Sequence, residues 1–345
     1  MTSTNPEEAD LATYEELAEI EREFDDLDVE IIRKQYHLSK DAYKKRKAVI
    51  SKIFKFWSHV FEAAPPEIDR YIQPSDSEIF AEALVNVEVD RFELENGSSE
   101  ANGSASGDPR SISIKFEFSP NEWFDDTVLE KKFWWRRASD GWAGLVSEPV
   151  RVHWKKGKDP TKGLMDGAIK LWEARQRVGD MRKRDLAEFD HMAKITENWN
   201  GDNTSFFTWF AYVSSRRWVS AEESAEAVKA ELAARERVKS GTELAKVELP
   251  EDDQLESQVE AHEDGDSLAT VLAEDLWPGA IRYFTQAQEN AELSDDDFEE
   301  DDEEDDDGAE NLQEDGMIDM RKLVGGGNDV GDSDGETRAR KKRRT

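Results

Sequence analysis

The side chains best suited to chemistry are the five histidines, His37, His59, His153, His191 and His262, and no two stand at the spacing that lets a pair ligate one metal. The chain has no cysteine, which removes thiolate metal sites, iron–sulfur clusters, a thiol nucleophile and a disulfide framework. Lys156-Gly157-Lys158 is followed by Asp159 instead of Ser or Thr, and Val152 stands where a phosphate-binding loop needs its first glycine. Gly325-Gly326-Gly327 follows no strand and opens no helix, and no G-x-S-x-G occurs. Lys131-Lys132-Phe133-Trp134-Trp135-Arg136-Arg137 interleaves bases with rings, as single-strand nucleic-acid binders do. Read as a strand, it turns Phe133 and Trp135 to one side with charges flanking an ordinary core strand, and this plainer reading is the better one. No catalytic, cofactor-binding or metal-ligating residue is assigned, and an enzyme has no constellation behind it.

What the residues offer is charge. Lys and Arg total 46 against 80 Asp and Glu, a formal net charge of −34 over 345 residues. Such a chain is repelled by nucleic acid and anionic membranes unless its charge is sharply segregated. Segregation is what the sequence shows. Residues 283–320 hold 18 acidic residues and no Lys or Arg, and from Asp295 to Asp307 only Phe298 interrupts the carboxylates. A block like this repels itself and buries no apolar surface, so it is expected to be disordered, as a solubilising tail or as a polyanion that competes for a strongly basic partner. The opposite pole is Arg338, Arg340, Lys341, Lys342, Arg343 and Arg344. This run reads as a nuclear localisation signal or a nucleic-acid patch, or as a basic tail folding back on the acidic one. The chain opens on polar and acidic residues with no secretory signal, and no apolar run is long enough to span a membrane. The expected location is the nucleus, with shuttling to the cytoplasm open.

The elements that hold these charges begin with one long helix. From Glu7 to Ala64 there is neither Pro nor Gly, far beyond an ordinary helix. Leu17, Ile20, Phe24, Leu27, Ile31 and Leu38 recur at steps of three and four, with Lys34 at the skipped place, an a/d-like seam. A helix from Tyr14 to Ala48 is roughly 50 Å long, longer than a small domain is wide, so its seam needs a partner helix. Residues 15–30 carry nine acidic and one basic residue, and 33–55 nine basic and one acidic. An antiparallel pair sets each acidic half against a basic half, which predicts an antiparallel homodimer. The other available partner is a second helix of the same chain at 164–196, whose seam is poorer.

After Pro65-Pro66 stops the helical segment, the period changes to two from Ile79. Strands are predicted at Val85–Phe92, Ile112–Phe118, Val128–Arg137 and Pro149–Trp154, with a Gly/Ser/Asn-rich loop at 96–108, and together they make an antiparallel sheet. Asp159-Pro160 predicts a helix start and Thr161–Thr196 helix. Phe206–Phe210 is an apolar knot, Ser220–Arg237 is helix-prone, and the acidic stretch 243–266 reads as a disordered insertion. The fold class is α+β. Residues 1–13 are a disordered N-terminus, 14–64 the long helix and its continuation, and 65–284 an α/β domain with an acidic insertion near 240–267. Residues 285–337 are the acidic tail and 338–345 the basic one.

Several ordered segments resemble the nucleosome assembly protein family, in its SET/template-activating-factor branch. They are Lys45-Arg46, Ile50–Trp57, Val85–Phe92, Phe116-Glu117-Phe118, Asn121–Leu129, Trp154-Lys155-Lys156-Gly157-Lys158-Asp159-Pro160-Thr161-Lys162, Ser205–Phe210 and Asp275-Leu276-Trp277-Pro278. The resemblance spans Tyr14 to Phe284. It implies a dimer through a long antiparallel helix, an α/β "earmuff" domain at each end with underside helices, an acidic tail, and histone chaperoning without covalent chemistry. The implied partners are core histones of either pair and a second copy of the chain, with a histone-modifying enzyme open, and with no membrane, no cofactor and no sequence-specific nucleic acid. Candidate histone-binding positions are Glu122, Asp125 and Asp126 in the sheet connection and Glu274 and Asp275 before Trp277. The competing function is a regulatory cofactor of a histone-modifying enzyme or a phosphatase inhibitor. The chain departs from the pattern at Phe54, where the family often has Pro and a gentler bend is therefore expected, in the long 96–108 loop, and in the 243–266 stretch.

Overall fold

The computed structural model describes residues 6–95, 107–198, 204–239 and 257–299. Residues 1–290 form one compact unit and 291–345 a second. The breaker-free stretch folds as α1, Pro6–Ile50, 45 residues and about 67 Å long; residues 6–13, expected to belong to a disordered N-terminus, are its first turns. Two faces of this helix differ. Tyr36 donates to Asp90, Tyr43 stacks on Trp277 and Ile50 is buried, so this stripe lies on the chain's own domain. The seam residues Leu17, Ile20, Phe24, Leu27, Ile31 and Leu38 point to the opposite side and are 48–75 % exposed. Phe in place of Pro at position 54 does not keep the helix continuous. The chain tightens through Lys52 N–H to Val49 O and Ile53 N–H to Ile50 O, and Lys55 then takes a left-handed conformation, φ 52.

Helices α2 (Phe56–Glu62), α3 (Pro66–Asp69) and α4 (Pro74–Ala83) follow. Proline opens α3 and α4, where its missing N–H costs nothing. Ile79 is therefore helical, and the two-residue period begins only at Leu84. The sheet has order β1-β2-β3-β4, all antiparallel: β1 Leu84–Asp90, then the short α5 Phe92–Glu95, β2 Ile112–Phe118, β3 Val128–Arg137 and β4 Ala143–Ser147. The fourth strand is thus not Pro149–Trp154. That segment is extended but bonds elsewhere: Val150 N–H donates to Phe210 O, and its one bridge joins Trp154 to Phe124.

One sheet face presents Ile112, Ile114, Phe116 and Phe118, all buried. They meet a 3-10 helix, Phe206–Ala211, every residue of which is buried. The rings of Phe206, Trp209 and Phe210 lie 5.8–6.2 Å from Phe116. Asp76 pins this knot to α4, accepting from Ser205 Oγ (2.6 Å), Phe206 N (2.7 Å) and Gln73 N (3.0 Å). Burial pushes its carboxyl above the usual value despite these donors.

Four further expectations need correction. Asp159 does not cap a helix; its carboxylate accepts from the N–H and hydroxyl of Thr161, and α6 begins at Leu164 after Gly163 at φ 92. The helical stretch is two helices, α6 Leu164–Val178 and α7 Ala187–Glu197, because Gly179 at φ 73 ends the first. After α8, Ala221–Lys239, the acidic stretch is not disordered throughout: a 3-10 turn at Ser257–Val259 is followed by buried Ala261 and His262. Residues 240–256 lie outside the described residues. Helix α9, Gly265–Val271, passes through a π turn, Leu272–Leu276, into α10, Ala280–Glu299. Residues 285–299, expected to belong to the disordered tail, are helical; the rest of the tail and the basic run 338–344 lie outside the described residues.

Lys131 overturns the plain reading of its strand. It does not flank the core but sits in it, at 0 % exposure, and its ammonium donates to Glu148 O (2.8 Å), Phe210 O (2.9 Å) and Tyr212 O (2.6 Å). Desolvation lowers its pKa well below the usual value, while three carbonyl acceptors for three N–H donors hold the charged form. Half-buried Glu260, whose carboxylate caps Ala261 N–H, is pushed up to about 8 by loss of solvent.

Candidate functional site

The five candidate carboxylates fall at two corners, and each is already paired. Asn121 builds the first corner: its side-chain oxygen accepts from Trp123 N and Phe124 N, both 3.0 Å, which turns the β2–β3 connection outward. Lys158 then reaches Glu122 at 2.6 Å, Lys155 lies 3.8 Å from Asp125, and His153 binds Asp126 through its backbone N (2.7 Å) and Nδ1 (2.8 Å). The basic loop Lys155–Lys162 and the acidic connection thus neutralise each other. Glu122 and Asp125 keep 64 % and 72 % of their side chains in solvent, whereas Asp126 keeps only 19 %. Asp126 is therefore a positioning residue for the 153–158 loop, while Glu122 and Asp125 can exchange their lysines for other cations.

The second corner joins α1 to the start of α10. The Arg46 guanidinium lies against the touching rings of Tyr43 (4.7 Å) and Trp277 (4.4 Å) and donates to Trp277 O (2.5 Å) and Pro278 O (3.2 Å). Burial lowers its pKa to about 10. Two motif segments far apart in sequence thus meet through one side chain. Trp277 Nε1 in turn donates to Val87 O on the outer edge of β1. Here Glu274 pairs with Arg91 (3.0 Å), and Asp275 accepts from Arg282 (2.8 Å) and Tyr283 (2.6 Å). Asp275 secures the entry to α10, and Glu274 borders a cleft of about 650 Å³ between α1 and the outer sheet face.

Sequence reasoning missed the pairing because ion pairs between distant segments leave no periodic trace. It also missed carboxylates that keep no cation partner among the described residues: Glu67 and Asp69 on α3 and Glu78 and Glu82 on α4, all exposed. Their spacing, Glu78 to Glu82 across one helical turn, was the available signal.

A long helix with an exposed apolar seam and a four-stranded antiparallel sheet backed by helices carry these charged corners, an arrangement suited to binding. The sequence matches the nucleosome assembly protein (NAP) family over residues 4–287. The chain belongs to that family, which is one of histone chaperones, and its function is histone chaperoning in nucleosome assembly. A Schizosaccharomyces pombe protein named for nucleosome assembly, C36B7.08c, is 29 % identical over 295 residues, covering 82 % of this chain and 83 % of the relative. The NAP1-related protein 1 of Oryza sativa is 26 % identical over 285 residues, covering 82 % and 76 %. The crystal structure of Vps75 aligns at 22 % identity with a TM-score of 0.47, covering 80 % of this chain and 98 % of that one.

Proposed function

We propose that the chain works in the nucleus as a homodimeric histone chaperone, with the two α1 helices antiparallel and the charged corners turned to histones. The observation that carries this reading is the seam. Six apolar side chains of α1 stand exposed on the face opposite the chain's own domain, and no segment described in the same chain covers them. An antiparallel second copy covers them and sets the acidic 15–30 half against the basic 33–55 half. Histone lysines and arginines then displace Lys158 and Lys155 from Glu122 and Asp125 and Arg91 from Glu274, a cation exchange that leaves no carboxylate buried and unpaired. The acidic tail adds affinity that salt screens strongly, and the 338–344 run serves nuclear import.

Light scattering of the full chain alone and with each purified histone pair tests this. A mass of two chains alone, rising on addition of at least one pair, supports it. A monomer, or a dimer that takes up neither pair, refutes it.

A further inference from the structure

A positive patch of this acidic chain stands at the junction of α1 and α2, and the histone reading leaves it unused. Lys45, Lys52 and Lys55 are all exposed and have no carboxylate partner among the described residues, while neighbouring Lys44 has only its own-helix Asp41 at 3.6 Å. Phe54 stands among them at 83 % exposure with the Lys55 ammonium 5.4 Å from its ring, and Val49 is 54 % exposed. The backbone at Lys55 is left-handed. Its φ of 52 is one that residues other than glycine seldom adopt. These are three independent features at one corner: unpaired cations, an uncovered ring and a left-handed backbone.

A second copy covers Lys45 and Val49 but not the rest of this corner. Centring an antiparallel pair on the Leu17–Leu38 seam brings the partner helix, which begins at Pro6, only to about residue 49. Lys52, Phe54 and Lys55 lie beyond it. The acidic half of the partner therefore neutralises the middle of the basic half and leaves its end bare.

We propose that this α1–α2 corner, Lys52, Lys55 and Phe54, contacts the phosphate backbone of duplex DNA without reading its sequence. Lysines on flexible stems suit phosphates as point charges, and Phe54 packs against sugar edges. The overall charge of −34 repels DNA over most of the surface, so contact at this corner is weak, as a protein that must let go after depositing its cargo requires. The choice of DNA over an acidic protein rests on the histone-deposition reading, which places DNA beside the chaperone.

The test is fluorescence anisotropy of the full chain with a labelled duplex of about 30 base pairs and no histone, across about 50–200 mM salt. The K52Q/K55Q chain should bind at least ~5-fold more weakly at the low-salt end, with a salt slope shallower by about 2, one per lost phosphate contact. F54S should weaken binding and leave the slope unchanged. Histone uptake and thermal midpoint of the double variant should match the parent, which separates this proposal from the chaperone reading. Binding unaffected by the double change, an equal loss from K155Q/K156Q, or displacement of the DNA by polyglutamate at matched charge would each overturn it.

Discussion

Replacing Phe24, Leu27 and Ile31 by Glu tests the α1 pairing. In the isolated chain these side chains are 61 %, 57 % and 59 % exposed, so folding of the protomer hardly depends on them. Complete burial of a large apolar side chain yields about 1.5–3 kcal/mol. Just over half of that remains to be gained on dimerisation, about 1–1.5 kcal/mol each. Six such side chains in the dimer supply about 6–9 kcal/mol, and six carboxylates in their place add repulsion to an already acidic half. A loss of at least about 6 kcal/mol is a factor above roughly 10⁴ in the dimer dissociation constant. Sedimentation velocity at micromolar protein should show monomer with unchanged far-UV dichroism, whereas a Leu232→Glu control on exposed α8 should stay dimeric. A triple variant that sediments as the parent dimer would place the interface elsewhere and remove the reason for the charge segregation of α1.

Lys131→Met should lower stability by about 2–4 kcal/mol in denaturant unfolding, because Glu148 O and Tyr212 O lose their buried donor while the methionine fills the volume; an unchanged midpoint would mean the ammonium holds nothing. His262 is 2 % exposed, stacks on Tyr71 at 4.6 Å, and is lowered by burial to about 4 from 6.5. The folded chain therefore prefers neutral imidazole. Its contribution is whole above pH 6.5 and is lost as pH falls toward 4, a difference of roughly 3 kcal/mol. His262→Phe should flatten that part of the stability profile, and a profile parallel to the parent would contradict it. Deleting 338–345 should abolish nuclear enrichment of a tagged chain in imaging; unchanged enrichment would exclude the basic run as the sole import signal.

Much of this architecture was legible because it is periodic. The α1 seam, the alternation in β2 and the absence of breakers from Glu7 to Ala64 are local patterns with a single cheap solution. Strand β4 was not legible because Leu145, Val146 and Ser147 are buried in succession and show no alternation. Within it, a side chain at Gly144 would meet the Trp142 ring, 2.6 Å from where its Cβ would stand. Lys131 and the 257–262 segment misled for one reason: charged residues read as surface, and only the fold supplies the three carbonyls and the packed walls that admit them. The candidate carboxylates could be named from the sequence but their pairing could not, since Lys158, His153 and Arg91 approach Glu122, Asp126 and Glu274 from distant places in the chain.

The central claim is that the chain carries histones to DNA, and mixing histones with DNA at physiological salt tests it most directly. Without a chaperone such mixtures precipitate. With the full chain in modest excess over histone, turbidity should fall and nuclease digestion should leave protected fragments of about 147 base pairs, the length a histone octamer wraps. Turbidity that persists, or clearing with no protected fragment, would contradict the account, the first by denying histone binding and the second by reducing the chain to a polyanion that strips histones without depositing them.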